Sequence, residues 1–528
     1  MTKLNLFIKF ILILLLIFTP IAFGSVELWA FSLMELGILL IIILWAIQSL
    51  IFRTPNSELQ SSQSATLGPC SAEQTSLGRH QPSTKNNFSS LHQSAIRNPW
   101  PVQCGANFTG PQSAIAVTLL SLFLLLILFQ MLPLPSGFLK IISPKTWEIR
   151  HQLLMTNDQL LMTPITFVPF VTQIQFIKWL TLIGLFFFLL YWKPVGKSYA
   201  AIRPFIIVIL AVGIWESLYG IFEFFSGHEQ ILNLEGEGLV PAVTGTFINR
   251  NYFAGYLLMV IPLSVGYLLS RRAGKMSPYW GWRHRLSSLD GKTLLVGFGV
   301  IVMMVALIFS ASRMGIASLL LSFSLLIFLF RDPRGEKRFS KASVLIFTLA
   351  LLWAIWIGLD AVISRFFTST EDFKLRWAIW VSTFQIVKDF PLFGSGLGTF
   401  VYTFPMYRTL HIEGFATHSE NDFLQLASET GLIGLGLLSI LFFYLLYKGI
   451  SGIRSISHHE PERYIGVGCL VGVLALMFHS LVERNIQVPA NAFLYTLLWA
   501  IVYKISFTKE VNVKDYKINQ PTQINNKD

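Results

Sequence analysis

Twelve runs of mostly apolar residues, each long enough for a helix to cross a bilayer, recur along this chain of 528 residues. Such a helix takes about 20 residues. The runs are 7–23, 28–52, 112–132, 174–192, 203–225, 251–270, 293–311, 313–330, 343–362, 431–448, 464–482 and 488–506. Hydrocarbon offers no water to backbone N–H and C=O groups, so runs of this length must be helices. They lack the short alternating pattern of outer-membrane barrel strands. Composition points the same way. Charged residues make up 13% and hydrophobic residues 53%, against roughly 25% charge in soluble proteins. Mean hydropathy is +0.59. A single soluble domain could not hide that surface, and disorder needs low hydrophobicity. With three cysteines a disulfide-rich fold is excluded too. The sequence therefore predicts an all-α polytopic membrane protein with about twelve transmembrane helices.

The net charge of +12 reads as a topology signal, with no nucleic-acid partner. Lys and Arg collect in cytoplasmic loops. Loop 271–292 carries Arg271, Arg272, Lys275, Arg283, Arg285 and Lys292, and loop 331–342 carries Arg331, Arg334, Lys337, Arg338 and Lys341. Lys193 and Lys197 occupy one further turn, and Arg454 and Arg463 another. With twelve spans all of these fall on one side, which the rule makes the cytoplasm, together with both termini. Among the opposite loops, 226–250 has Glu229, Glu235 and Glu237, and its only Lys or Arg is Arg250.

The chain divides accordingly. Residues 1–52 hold two N-terminal spans. Lys3 and Lys9 before an apolar run resemble a signal peptide, but the run passes into a second span after a short turn, so an uncleaved helix is expected. Residues 53–111 are rich in Ser, Gln and Asn and read as a cytoplasmic linker. Cys70 and Cys104 lie there, where a reducing compartment disfavours a disulfide. Residues 112–362 form a transmembrane core, 363–430 a large outer loop, 431–506 the C-terminal spans, and 507–528 a loose cytoplasmic tail.

Two outer segments, 133–173 and 363–430, exceed what a connector needs and should carry their own elements. An amphipathic stretch lies around Trp147–Leu161. Helices are expected around Phe373–Lys388 and Asp422–Thr430, the second opened by a capping box of Ser419 and Asp422.

Polar residues near these loops are the candidates for chemistry. Arg313, between two apolar runs, belongs at the membrane boundary; it is either functional or a snorkelling anchor. Arg376 opens Arg376-Trp-Ala-Ile-Trp380, whose tryptophans share a helix face; it is either functional or an interfacial anchor. His418, in Thr417-His-Ser-Glu-Asn-Asp422, is either a base or a structural histidine. Arg250, His479 and the Glu483–Arg484 pair are weaker candidates. Glu216, inside a span, is either a functional carboxylate or a hydrogen-bonded core group. No zinc-ligand spacing, phosphate-binding glycine loop or nucleophile elbow occurs.

Several segments together resemble the O-antigen ligase and O-antigen polymerase superfamily. They are Gly245-Thr-Phe-Ile-Asn-Arg-Asn-Tyr-Phe-Ala-Gly255, Ser310-Ala-Ser-Arg-Met-Gly315, Pro391-Leu-Phe-Gly-Ser-Gly-Leu-Gly-Thr-Phe400 and His418-Ser-Glu-Asn-Asp-Phe-Leu-Gln-Leu-Ala-Ser-Glu-Thr-Gly-Leu-Ile-Gly434. Leu132-Pro-Leu-Pro135 and His479-Ser-Leu-Val-Glu483 fit as well. The resemblance spans about 112–506 and omits the 53–111 insert. It implies a GT-C-like architecture with a large periplasmic loop in the inner (cytoplasmic) membrane, with the active site on the periplasmic side. The implied donor is a glycan on polyprenyl diphosphate, and the implied acceptor is lipid A–core, a growing glycan or a protein. No cofactor or metal is implied, and inversion at the anomeric carbon is. By motif, Arg313, Arg376 and His418 match the family's key arginines and histidine. Met314 stands where Gly is usual, and Ser419 where Asn is common.

These residue types suit the reaction. Guanidinium forks match phosphate oxygens and can stabilise charge on a departing diphosphate. His418 could take the acceptor hydroxyl's proton, with Arg313 and Arg376 nearby keeping the ring neutral. Arg250 is a further expected substrate contact. The ligase reading leads. A polymerase of O-antigen or exopolysaccharide and a protein O-oligosaccharyltransferase are alternatives within glycan transfer. A secondary transporter is the alternative outside it, though no repeat of one half in the other is visible. A purely structural scaffold is a further alternative.

Overall fold

The computed structural model describes residues 2–51, 111–153, 162–192, 198–226, 230–231, 234–235, 242–273, 290–330, 370–409 and 416–518. In chain order the helices are α1 (Thr2–Ile21), α2 (Leu28–Ile51), α3 (Pro111–Met131), α4 (Ser136–Ile142), α5 (Pro144–Leu153), α6 (Pro169–Tyr191), α7 (Ser198–Ser226) and α8 (Arg250–Ser270). Then follow α9 (Gly291–Phe309), α10 (Arg313–Phe330), α11 (Thr370–Asp389), α12 (Phe400–Thr403), α13 (Asp422–Arg454), α14 (Pro461–His479) and α15 (Pro489–Ile518). Ten of them are long and apolar enough to cross a membrane: α1–α3, α6–α10, α13 and α14. The apolar run 488–506 lies in α15. The chain is thus an all-α polytopic membrane protein. The expected span 343–362 lies outside the described residues, as do Cys70, Cys104 and all of the 53–111 insert except Pro111, which opens α3. The helix at 144–153 covers the start of the expected amphipathic stretch, whose remainder to Leu161 also lies outside.

The tail differs from expectation. A loose segment from 507 is predicted, but α15 continues to Ile518. No proline or glycine stands between Phe507 and Pro521 to stop it.

Helices α8 and α14 form the centre. Side chains on every face of α8 are buried, as in a helix surrounded by other helices. Gly468 and Gly472 of α14 lie one turn apart against its backbone. A Cβ there would meet Pro262 O at 2.7 Å and Met259 O at 2.8 Å. Small residues at this spacing let membrane helices approach closely and gain packing contacts that lipid cannot supply. Outside this centre, Leu36, Leu40 and Ile43 of α2 and Ile440, Phe443 and Tyr447 of α13 are exposed. They form surface suited to lipid tails.

Polar side chains stitch helix ends together. Lys504 of α15 donates to Leu189 O at 3.2 Å and Trp192 O at 2.6 Å, satisfying carbonyls at the end of α6. Glu216 of α7 accepts from Thr246 N at 2.9 Å. The Thr246 hydroxyl is 2.8 Å from Glu216 and 2.9 Å from Pro20 O. Glu216 is therefore the hydrogen-bonded core group of its two readings, joining α7 to loop 242–249 and to the end of α1.

Many helix ends meet at one pole of the bundle. Asp422 N bonds Ser480 O at 3.1 Å, Val243 N bonds Phe309 O at 3.2 Å, and Thr166 N bonds Gln130 O at 3.0 Å. A two-residue strand pair, β1 (Leu134–Pro135) antiparallel to β2 (Met162–Thr163), with Leu134 opposite Thr163, follows the end of α3. A second short pair is β3 (Gln230–Ile231) with β4 (Leu234–Glu235).

Candidate functional site

The site begins with a broken helix. Regular helical geometry in α13 fails at one residue, Gly431, with φ 67° and ψ −177°. The expected helix Asp422–Thr430 and the expected span from 431 are thus two helical segments meeting at a kink. Backbone groups freed there pair with the loop after α11. Ser395 N and Gly396 N donate to Ser428 O and Glu429 O, both at 3.0 Å, and Leu432 N donates to Pro391 O at 2.8 Å. Gln130 of α3 reinforces the clasp, donating to Phe393 O at 2.6 Å and Glu429 O at 2.8 Å. The glycine-rich motif 391–400 is therefore a docking strap. Gly396, at φ 112°, lies where a Cβ would strike the Thr166 side chain at 2.2 Å.

The strap also holds a carboxylate. Glu429 accepts from Gly398 N at 2.8 Å, Phe400 N at 3.3 Å and Gln425 Nε2 at 3.1 Å. Gln425 in turn accepts from Ser419 N at 3.1 Å. With oxygen and nitrogen both fixed, its N–H faces His418 Nδ1 at 3.4 Å. A neutral ring accepts this contact at Nδ1 and carries its hydrogen on Nε2, so a proton taken up by the ring enters at Nδ1 in place of the Gln425 N–H. Burial lowers the His418 pKa to about 3, and the charges of Arg484 and Lys178 add to the effect. Neutrality is what a proton acceptor needs, but the charges responsible are not the pair proposed from sequence.

The start of α13 corrects the expected capping box. Its N-cap is Asn421, whose Oδ1 accepts from Phe423 N and Leu424 N at 3.0 Å. The Ser419 hydroxyl bonds Asn421 O instead. Asp422, at the first helical position, accepts from Asn485 N and Ile486 N at 2.8 Å, fixing the turn between α14 and α15. Replacing Asn421 with Ala should cost about 0.5–2 kcal/mol, read as a lower unfolding temperature in detergent. An unchanged transition would show that other contacts alone set this helix start.

His479 closes α14 within a polar knot. Its Nδ1 is 3.0 Å from Asn485 Nδ2 and its Nε2 is 3.4 Å from Ser312 Oγ. Arg313 follows Ser312 as the first residue of α10 and is partly buried. Arg376, on α11, donates to Val482 O at 2.6 Å and pairs with Glu483 at 2.8 Å. Burial raises the Glu483 carboxyl to about 7, with Arg376 and Arg250 pulling it down. Burial likewise raises Glu420, against Arg376 and Arg484. Trp377 and Trp380 meet edge-on at 6.4 Å between centroids, and Trp377 is 56% exposed, as an interfacial anchor would be.

Below His418 lies a cavity of about 730 Å³. Its polar end is formed by Lys178, His418, Asp422, Gln425, Glu429, Arg484 and Gln487. Its body is apolar: Leu182, Ile183 and Phe186 of α6, Leu438, Leu441 and Phe442 of α13, and Tyr495 and Trp499 of α15. From Gln175 to Phe186 the α6 lining runs roughly 16 Å along the helix. Arg250, Arg313 and Arg376 do not line it. Of the sequence candidates, Arg250 and Arg376 converge on Glu483, while His418 keeps company with Arg484 and Lys178. Lys178 was the missed residue. A lone lysine inside the apolar run 174–192 was its available signal.

The sequence profile of the O-antigen ligase family matches residues 298–439. This stretch of the chain is similar to the O-antigen ligase family. The matched region contains Arg313, Arg376, the strap, His418 and the break in α13, and leaves Lys178 and Arg484 outside. The similarity points to membrane glycan transfer of the O-antigen ligase or polymerase type. A comparison with curated proteins gives no match.

Proposed function

We propose that this protein transfers a glycan from a polyprenyl diphosphate carrier to an acceptor hydroxyl at the periplasmic face of the inner membrane, as O-antigen ligases and their relatives do. The observation that carries the reading is the cavity. A polar end that carries Lys178 and Arg484 beside His418 continues into an apolar body between membrane helices. The donor has the same polarity along its length: sugar, diphosphate, hydrocarbon tail. Such matching fixes the anomeric carbon near the histidine before reaction.

The acceptor oxygen attacks that carbon as the sugar–phosphate bond breaks, and the bonding electrons leave on the diphosphate. A single displacement of this kind inverts the centre and needs no metal. The hydroxyl proton passes to the neutral His418 ring. Arg313, Arg376 and Arg250 lie outside the cavity lining and contribute positive charge to the leaving side and the substrate from beyond it. Acceptors fitting this scheme are lipid A–core, a growing glycan or a protein hydroxyl.

The test is the envelope glycan profile of a deletion strain complemented with the wild-type gene. Long glycan retained on the carrier, with bare lipid A–core, is expected of a ligase. Single repeat units on lipid A–core would make it a polymerase. A profile unchanged by deletion would overturn both and turn attention to exopolysaccharide, protein glycosylation and transport.

A further inference from the structure

Two cations face the cavity, and among the described residues neither has a carboxylate at ion-pair distance; Asp422 and Glu429, which also line it, accept instead from backbone N–H groups of Asn485, Ile486, Gly398 and Phe400. Lys178 of α6 is 8% exposed, and its Nζ donates to Gln487 O at 2.7 Å. Arg484, in the turn before α15, reaches Tyr252 OH through Nη1 at 3.4 Å and stacks over that ring at 5.9 Å from its centroid. Its Nε is buried without a hydrogen-bond partner. The neighbouring Glu483 is turned to Arg376. Among the described residues neither Lys178 nor Arg484 has an ion pair.

A buried charge is costly unless paired, and an ionisable residue at membrane depth marks a binding or transport path by default. Here both charges border the same cavity, on the side where His418 stands. With Asp422 and Glu429 held by backbone N–H groups, a direct ion-pair partner for both cations is expected from a ligand that enters the cavity. The ligand must be anionic at one end and apolar along the rest, because the lining below Lys178 is aliphatic and aromatic.

We propose that Lys178 and Arg484 hold the diphosphate of the polyprenyl carrier, an assignment that rests on the donor reading above. Each phosphate of such a carrier bears a negative charge, so a cation pair neutralises the head group. Arg484 offers a planar donor set and Lys178 a point charge. The pair also links binding to chemistry. By themselves these charges disfavour protonation of His418. A bound diphosphate offsets them, so the ring accepts a proton more readily once the donor is in place.

The experiment measures binding of undecaprenyl diphosphate and of uncharged undecaprenol to the full chain in nanodiscs. The variants are Lys178→Gln and Arg484→Gln, which keep a hydrogen-bond donor for Gln487 O and Tyr252 OH. Each should weaken the diphosphate by about tenfold or more and leave undecaprenol unchanged. Retained undecaprenol binding also shows that the variant is folded. Should either Gln variant fail to fold, Lys178→Arg and Arg484→Lys keep the charge and should bind the diphosphate within a few-fold of wild type. Diphosphate affinity within twofold of wild type in both Gln variants would overturn the pair. If both Gln variants bound normally while Arg313→Ala or Arg376→Ala abolished binding, the donor reading would stand and this assignment would fall. If the wild-type chain did not prefer the diphosphate over undecaprenol, the donor reading itself would fail.

Discussion

Replacing His418 with alanine should lower the rate of glycan transfer by about 10²–10⁴-fold, the usual worth of a positioned general base. The measurement is transfer from a lipid-linked glycan in membranes containing equal amounts of folded wild-type and variant protein. Full activity of the variant would remove the base from the scheme. The pH dependence is distinctive. The ordinary histidine value is about 6.5, whereas burial, Arg484 and Lys178 bring His418 down to about 3. A depressed value means that the ring keeps its lone pair as pH falls through 6.5 and loses it only near 3. The ratio kcat/KM reports the free enzyme, so it should show no His418 limb between about pH 5 and 7. An acid limb centred near 6.5 and absent from the alanine variant would show that His418 titrates as if exposed, and that the cavity does not control it.

The sequence revealed the spans because hydrophobicity is a local property. Each run could be recognised without knowing its neighbours, and eleven of the twelve coincide with described helices. The boundary at 430 was legible for a similar reason: a polar helical stretch changes to an apolar one beside a glycine. Pairings across the fold were not legible. Glu483 and Arg484 are adjacent and invite reading as a pair. The structure instead turns Glu483 to Arg376, more than a hundred positions earlier, and Arg484 to Tyr252 and the cavity. The same limit explains the capping box. Ser419 and Asp422 have the right spacing, but Asn421 takes the cap while Asp422 binds backbone from the α14–α15 turn. Motif resemblance drew attention to Arg313, Arg376 and His418, and the matched family region contains those three. It offered no signal for Lys178, whose importance depends on a cavity assembled from separate segments of the chain.

Gly431→Ala should be among the most damaging single-methyl changes in the molecule. At φ 67° and ψ −177° the backbone occupies a region open essentially to glycine alone, and the strain of placing another residue there is about 1–3 kcal/mol. Sterics add to it. The new Cβ would stand 2.1 Å from Leu392 O and 2.6 Å from Phe393 N, backbone atoms with no rotamer to yield. Relief requires the strap to lift, which breaks its bonds to Ser428, Glu429 and Leu432. A total loss above about 3 kcal/mol is expected, seen as a large fall in unfolding temperature and in monodisperse yield. Gly436→Ala, just over one helical turn on, is the control. No atom lies within 4 Å of a Cβ there, and alanine in place of a helical glycine should be neutral or stabilise by up to about 1 kcal/mol. Equal behaviour of the two variants would mean that the break is not needed. If they diverge as expected, the reason reaches the chemistry. The break lets the strap's N–H groups bind Glu429, Glu429 fixes Gln425, and Gln425 orients His418. A continuous helix at 431 would satisfy its own backbone and leave that chain without an anchor.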